Sequence, residues 1–188
     1  MNNATRMSGT MTTPPYLLWT AKNGEEFYTF DISVKRESGT YDMVPVIIKK
    51  DNLIDSTDDR ITLNGEIRSR NSDGHLLVYF YATESMIYSG IDENVVALEG
   101  IVCIKKEIRE TLFSKKKITD FSLAVDRKYN WKSDYIPCIA WEHSAEVIND
   151  DIAVGTGIGI TGRFQSRDYM KNGEKKTAFE VSVMNLEW

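Results

Sequence analysis

The feature that most limits what this chain can fold into is that its first half recurs in its second. FDISVKRESGTYDMVPVII begins at residue 30 and FSLAVDRKYNWKSDYIPCIA begins at residue 121. Phe30, Val34 and Arg36 match Phe121, Val125 and Arg127 at one offset; Asp42 and Pro45 match Asp134 and Pro137 after a one-residue shift. Further on, LNGEIRSRN (63–71) matches ITGRFQSRD (160–168), pairing Gly65, Ser69 and Arg70 with Gly162, Ser166 and Arg167. Order and spacing are both kept. The chain reads as a duplication, so whatever one half folds into, the other should fold into as well.

Each half reads as strands. FYTFDISVKR, ITDFSLAVDR, ITLNGEIRSR, TGRFQSRDY and TAFEVSVMNLE alternate apolar and polar residues with period two. Turn signals separate them: Ser38-Gly39, Asp73-Gly74 and Asn172-Gly173. Only EHSAEVINDD (142–151) has helical character, and the matching KKDNLIDSTDD has room for one turn at most. The boundary between halves falls near ESMIYSGIDEN (84–94). Five short strands with a helix between the third and fourth is the pattern of an OB-fold. The expected fold class is therefore all-β: two tandem OB-fold five-stranded Greek-key barrels, with a short helix in the second. Residues 1–15, MNNATRMSGTMTTPP, are small and polar and lack the apolar centre of a secretory signal. They are expected to be a disordered N-terminal arm, followed by barrels at 16–88 and 89–188.

Several function classes are set aside by the residues. Gly157, Gly159 and Gly162 formally match the dinucleotide fingerprint G-x-G-x-x-G. That site needs a helix after the glycines to hold the pyrophosphate, whereas Arg163 to Arg167 continue as a strand. No cofactor is expected. Ser144 beside His143, and the Asp150–Asp151 pair, form no catalytic motif. Cys103 and Cys138 sit in apolar stretches and read as buried reduced thiols; with His75 and His143 they make no recognised zinc spacing. No apolar run approaches the roughly 18 residues of a membrane span. The net charge of −5 argues against a nucleic-acid partner only weakly, because local stripes decide phosphate binding.

Strand period assigns faces. In SDYIPCIAW, Tyr135, Pro137, Ile139 and Trp141 share one side, and Ile136, Cys138 and Ala140 share an apolar side suited to a barrel interior. In TGRFQSRDY, Arg163, Gln165, Arg167 and Tyr169 share a side. Tyr129 and Trp131 lie in the preceding loop beside Arg127, Lys128 and Lys132. Rings interleaved with cations suit a single-stranded nucleic acid, since bases stack on rings at about 1–3 kcal/mol each while cations follow the phosphates. Lys105 and Lys106, and Lys171 and Lys175, add basic clusters in expected hairpin loops.

The stretches ITDFSLAVDRKY, SDYIPCIAWEHSAEVI and ITGRFQSRDYMKNGEKKTAFEVSV resemble a bacterial single-stranded DNA-binding protein over about half the chain. In that family the stacking aromatics lie after the second strand, at both ends of the third and on the fourth. The resemblance implies those places here are Tyr129 or Trp131, Tyr135 and Trp141, and Tyr169. Some members carry two OB-folds and dimerise to present four barrels, which the resemblance implies here too. The first half has Met43, Lys49 and Ser72 where the second has Tyr135, Trp141 and Tyr169, though it keeps Arg36, Arg68 and Arg70. It is expected to bind strands weakly and to serve assembly. The family ends in an acidic tail that recruits repair and replication enzymes; this chain ends at MNLEW, which argues against tail-mediated recruitment.

The expected function is non-enzymatic, largely sequence-independent single-stranded DNA binding in replication, recombination or repair, in the cytoplasm at the nucleoid. The competing expectation is an OB-fold adaptor of a primosome or recombination complex with little strand affinity. A homodimer is expected, covering apolar strand faces such as Leu76 to Tyr81.

Overall fold

The period-two segments form a computed structural model of strands β1 Asn3–Met11, β2 Tyr16–Thr20, β3 Glu26–Lys35, β4 Tyr41–Lys49, β5 Arg60–Ser72 and β6 His75–Ile87, then β7 Glu93–Lys105, β8 Arg109–Glu110, β9 Lys117–Asp126, β10 Ser133–Trp141, helix α1 Glu142–Asp150, β11 Gly157–Lys171 and β12 Glu174–Glu187. The structure describes residues 2–55, 58–128, 131–171 and 173–188, the side chain of Lys171 excepted. One continuous sheet runs β2-β3-β4-β6-β5-β1-β7-β11-β12-β10-β9-β8, and two further pairings, β3–β1 and β7–β9, close each half on itself. Each half is thus a five-stranded Greek-key barrel, β1-β3-β4-β6-β5 and β7-β9-β10-β12-β11, with one parallel pair in each: β4 with β6 and β10 with β12. These are tandem OB-folds, and the duplication read from the sequence is a duplication of barrels. No helix among the described residues is long and apolar enough to cross a membrane.

The described part of residues 1–15 departs from the expected disordered arm. Residues 3–11 are β1, which pairs with β5 on one side and β7 on the other and joins the two barrels. Its inward positions include Thr5, Met7 and Gly9, all buried. Thr5 is polar, Met7 is unbranched and Gly9 has no side chain, so the strand lacks the β-branched apolar signal of its neighbours. Partner strands on both edges supply the hydrogen bonds that hold it.

Paired devices shape both barrels. β5 and β11 each carry a bulge, at Asn64/Gly65 and at Thr161/Gly162. A Cβ on Gly65 would lie 2.1 Å from the Tyr81 carbonyl oxygen, and one on Gly162 would lie 2.2 Å from that of Ser182, so only glycine fits. Beyond the bulge the ladder to β1 or β7 ends, and an asparagine continues it. Asn3 Nδ2 donates to the Ile67 carbonyl at 2.8 Å and its Oδ1 accepts from the Ile67 amide at 3.0 Å. Asn94 does the same for Phe164, at 2.7 and 2.9 Å. The strand following Gly162 runs on to Lys171, so the three glycines of the dinucleotide-like motif open no helix.

The cores are filled by Met7, Phe30, Leu63, Ile67 and Phe80 in the first barrel and by Leu98, Leu123, Ile136, Ala140 and Phe164 in the second, all essentially inaccessible. Helix α1 lies over β9 and β10 and buries Ala145, Val147 and Ile148. Its first-barrel counterpart is a single 3-10 turn at Lys50–Asn52. Cys138 is buried in the core, where burial pushes its thiol well above the usual range; both cysteines are free.

Candidate nucleic-acid interface

β10 carries the second barrel's outer wall. Ile136, Cys138 and Ala140 point inward, as the period requires, and Tyr135 is half-exposed on the other side. Ile139 shares Tyr135's side of the strand but is buried. Trp141, at the far end of β10, is half-buried and its indole nitrogen donates to Ser182 Oγ at 3.1 Å. Trp141 is six residue steps along the strand from Tyr135, about 20 Å at the usual rise. Trp131 projects fully into solvent from the loop before β10, its backbone in the left-handed region at φ 52°. Tyr169 stands on the exposed arm of β11 and lines a groove between the barrels. Tyr129 lies outside the described residues.

That groove, about 530 Å³, runs between the barrels. One wall is Tyr16, Leu18, Pro45, Ile47, Arg70 and Leu76 to Tyr79 of the first barrel. The other includes Ile104, Lys106, Pro137, Arg167, Tyr169 and Phe179 of the second. Its lining is mostly apolar with cations at intervals, which suits base faces with phosphates at the rim. Leu76 and Leu77, expected from the sequence to meet another copy, line this groove within the chain.

The basic residues divide by what already holds them. Arg127 is bidentate to the buried Asp134, Nε at 2.8 Å and Nη2 at 2.7 Å, and donates a third bond to the Ser69 carbonyl of the first barrel at 3.0 Å. The Asp134 hydrogen bonds raise its guanidinium pKa further. Ser69 completes the seam: its amide donates to Asp134 at 2.6 Å, and its hydroxyl accepts from the Tyr135 amide at 2.8 Å. The duplicate seam is built from Arg36, Asp42 and Ser166. Arg127 therefore joins barrels. Arg163 is half-buried, donates to Gln165 at 3.1 Å and leaves its Nε unpartnered; burial, then the nearby Arg36, pull its pKa below the ordinary arginine value. Arg167 is exposed but bound to Glu180 through Nε at 3.1 Å and Nη2 at 3.2 Å.

Lys105 does not reach outward. Its ammonium donates to the carbonyls of Ile148, Asn149 and Ile152 at 3.1, 2.9 and 2.7 Å, closing the C-terminal end of α1, where carbonyls lack partners and the dipole favours a cation. Lys175 is exposed and pairs with Asp168 at 2.8 Å. Lys128 is exposed and borders a hollow on the sheet's outer face with Arg6, Glu66 and Val95, away from the groove. Lys106 and Lys132 are exposed and unpaired among the described residues, and the side chain of Lys171 lies outside them. Among the described residues no group of three or more His, Cys, Asp or Glu could hold a metal ion.

A profile of the Single-strand binding protein family matches residues 93–188, about half the chain. The chain belongs to the single-strand binding protein family.

The matched region coincides with the second barrel. A single-stranded DNA-binding protein of Clostridium tetani is 35% identical over 103 residues, covering 50% of this chain and 71% of the relative. Single-stranded DNA-binding protein 3 of Streptococcus agalactiae is 33% identical over 100 residues, covering 50% of this chain and 72% of that one. In architecture the whole chain is similar to the single-stranded DNA binding protein of Thermus aquaticus: TM-score 0.74 across 98% of this chain and 91% of that one, at 19% identity, a likeness of fold. The family resemblance and the tandem OB-folds read from the sequence both hold.

In this family member, Arg70 and Tyr79 of the first barrel lie in the groove; the sequence marks Arg70 only as a retained cation of a weakly binding half and does not single out Tyr79. Arg70 was visible as the duplicate of Arg167. What hid its setting was the partner position: the parallel pairing of β4 with β6 and of β10 with β12 makes Tyr79 the counterpart of Glu180.

Proposed function

We propose that this protein binds single-stranded DNA without turnover, stacking bases on Trp131 and Tyr135 at the start of β10 and on Tyr169 in the groove between its barrels, and holding phosphates with Lys132 beside Trp131 and Lys106 in the groove. Family membership supports single-strand binding itself. The observation that carries the residue assignment is the exposure of those rings, with Lys132 next to Trp131 in the chain and Lys106 lining the same groove as Tyr169, both lysine side chains unpaired among the described residues. Trp141, anchored through its indole nitrogen, contributes at the far end of β10. Contacts to ring faces and phosphates read no base edges, so little sequence preference is expected. Replication, recombination and repair are the settings where unpaired strands arise.

Titrating oligo(dT) while following tryptophan fluorescence tests this. Wild type should quench and lose affinity as salt rises. Replacing Trp131 and Tyr169 together with Ala should cost a few kcal/mol at about 1–3 per stacked base. A folded double variant that binds as wild type would reject the platform, and an unresponsive wild type would favour the adaptor.

Two chains are proposed to pair through the outer face of β5, β1, β7 and β11, where Ala4, Ala97 and the exposed Val95 lie among Arg6, Glu66 and Lys128, apolar patches and charges of both signs that a second copy could match. Light scattering at micromolar concentration should give a dimer mass; a monomer would refute it.

A further inference from the structure

We infer that the first barrel is not bare toward nucleic acid: Arg70 holds a phosphate of the same strand, from the opposite wall of the groove. This rests on the binding mode proposed above and adds a contact from the half that lacks the aromatic platform.

The argument begins with one exchange between duplicates. Arg70 and Arg167 occupy the same place on β5 and β11, opposite Leu77 and Ala178. In the second barrel the diagonal neighbour is Glu180, which ties up Arg167 through two nitrogens. In the first barrel that place is Tyr79, which carries no charge to offer. Arg68, the arginine directly opposite Tyr79, is itself spent: it pairs with Glu66 at 2.8 Å and stacks on Tyr81, 4.4 Å from the ring centre. The Arg70 guanidinium is left exposed, with no hydrogen bond or ion pair among the described residues. Divergence of the two halves has released one guanidinium and kept the other bound.

Its surroundings select the ligand. Arg70 stands on a wall that includes Tyr16, Leu18, Leu76, Leu77 and Tyr79. A fork of donors beside apolar and ring surfaces matches a phosphodiester whose base lies against the wall. Across the groove stands Lys106, whose side chain is also unpaired among the described residues, so each barrel offers a cation not held by a carboxylate to a strand lying between them. The phenol of Tyr79 is raised, first by burial, and stays a neutral donor beside the phosphate path.

The test uses the full chain with Arg70→Ala and Arg70→Lys, titrated with oligo(dT) of increasing length at several salt concentrations. Arg70→Ala should weaken binding of long oligonucleotides about five- to tenfold at low salt and lower the salt slope by about one phosphate's worth. Oligonucleotides too short to reach beyond the second barrel should bind as to wild type. Arg70→Lys should keep the slope, which a purely structural role would not explain. If Trp131 and Tyr169 matter but Arg70→Ala leaves affinity and slope unchanged at every length, this inference is overturned and the platform stands. If wild type binds no oligonucleotide, both fall together.

Discussion

Thr5 on β1 lies directly opposite Val96 on β7, and Val96 is the residue that takes Thr5's place in the second barrel. A residue paired with its own duplicate marks a local two-fold axis, so the two barrels meet as the halves of an isologous dimer do, within one chain. The seams obey the same relation: Arg127 and Asp134 grip Ser69, and Arg36 and Asp42 face Ser166. Because β1 sits at this axis, deleting residues 1–11 should abolish cooperative unfolding of the first barrel and lower the melting temperature of the second. Differential scanning calorimetry would show it, whereas a removable arm would leave the transition intact.

The asparagine clamps can be weighed against each other. Asn3→Ala leaves the buried amide and carbonyl of Ile67 unpaired, and Asn94→Ala does the same to Phe164. Each should cost about 1–3 kcal/mol of stability. Urea denaturation should find the two losses similar, since the geometry is duplicated; a silent Asn3→Ala would mean water replaces the clamp.

Much of this architecture was legible in the sequence because the framework residues are the ones that duplication kept. Gly65 and Gly162 sit at the bulges, and the repeated Arg36 and Arg127, Asp42 and Asp134 showed the duplication, though not that each arginine meets its aspartate. The period of β10 placed Tyr135 outside and Ile136, Cys138 and Ala140 inside. What escaped was of two kinds. Asn3, Met7 and Gly9 of β1 repeat as Asn94, Leu98 and Gly100 of β7, but a strand paired on both edges needs few apolar residues of its own, and its polarity reads as disorder. The second kind is pairing across strands. Nothing in the spacing of Arg127 or Lys105 shows that one meets Asp134 and the other a helix end, so both read as free cations.

The seam at Asp134 is a strong point of the fold. Its carboxylate is inaccessible and holds Arg127 and the Ser69 amide. Asp134→Ala strands a guanidinium at the interface and should destabilise by about 3–5 kcal/mol. A loss below about 1 kcal/mol in thermal denaturation would show that water or Glu66 takes over.

Asp92, in the link between the halves, gives the fold an acid-sensitive tie. Burial alone would raise its pKa. The Lys35 amide, the Tyr88 hydroxyl and Arg60 donate to it at 2.8, 2.9 and 2.8 Å and together bring it below the usual value. A lowered folded pKa means the contribution is complete above the ordinary aspartate range near pH 3.9. It fades as pH falls through the folded value. The stability gap between wild type and Asp92→Asn should therefore be widest near neutrality and close in acid. A gap independent of pH would show that the tie is not electrostatic.

Lys105 and Lys132 separate two meanings of a basic residue in a binding protein. Lys105 closes α1 with three hydrogen bonds to carbonyls, and a phosphate would have to displace them. Lys132 is exposed beside Trp131 with no partner among the described residues. Substituting Lys105 by Met should lower the melting temperature, because the helix end loses its cation, while the salt slope of oligonucleotide binding stays as in wild type. Substituting Lys132 by Met should do the reverse: stability within about 0.5 kcal/mol of wild type, as for surface changes generally, and a slope smaller by about one. A slope change in the Lys105 variant without loss of stability would move that residue from scaffold to interface, since only an ammonium that leaves the helix end on binding can produce it.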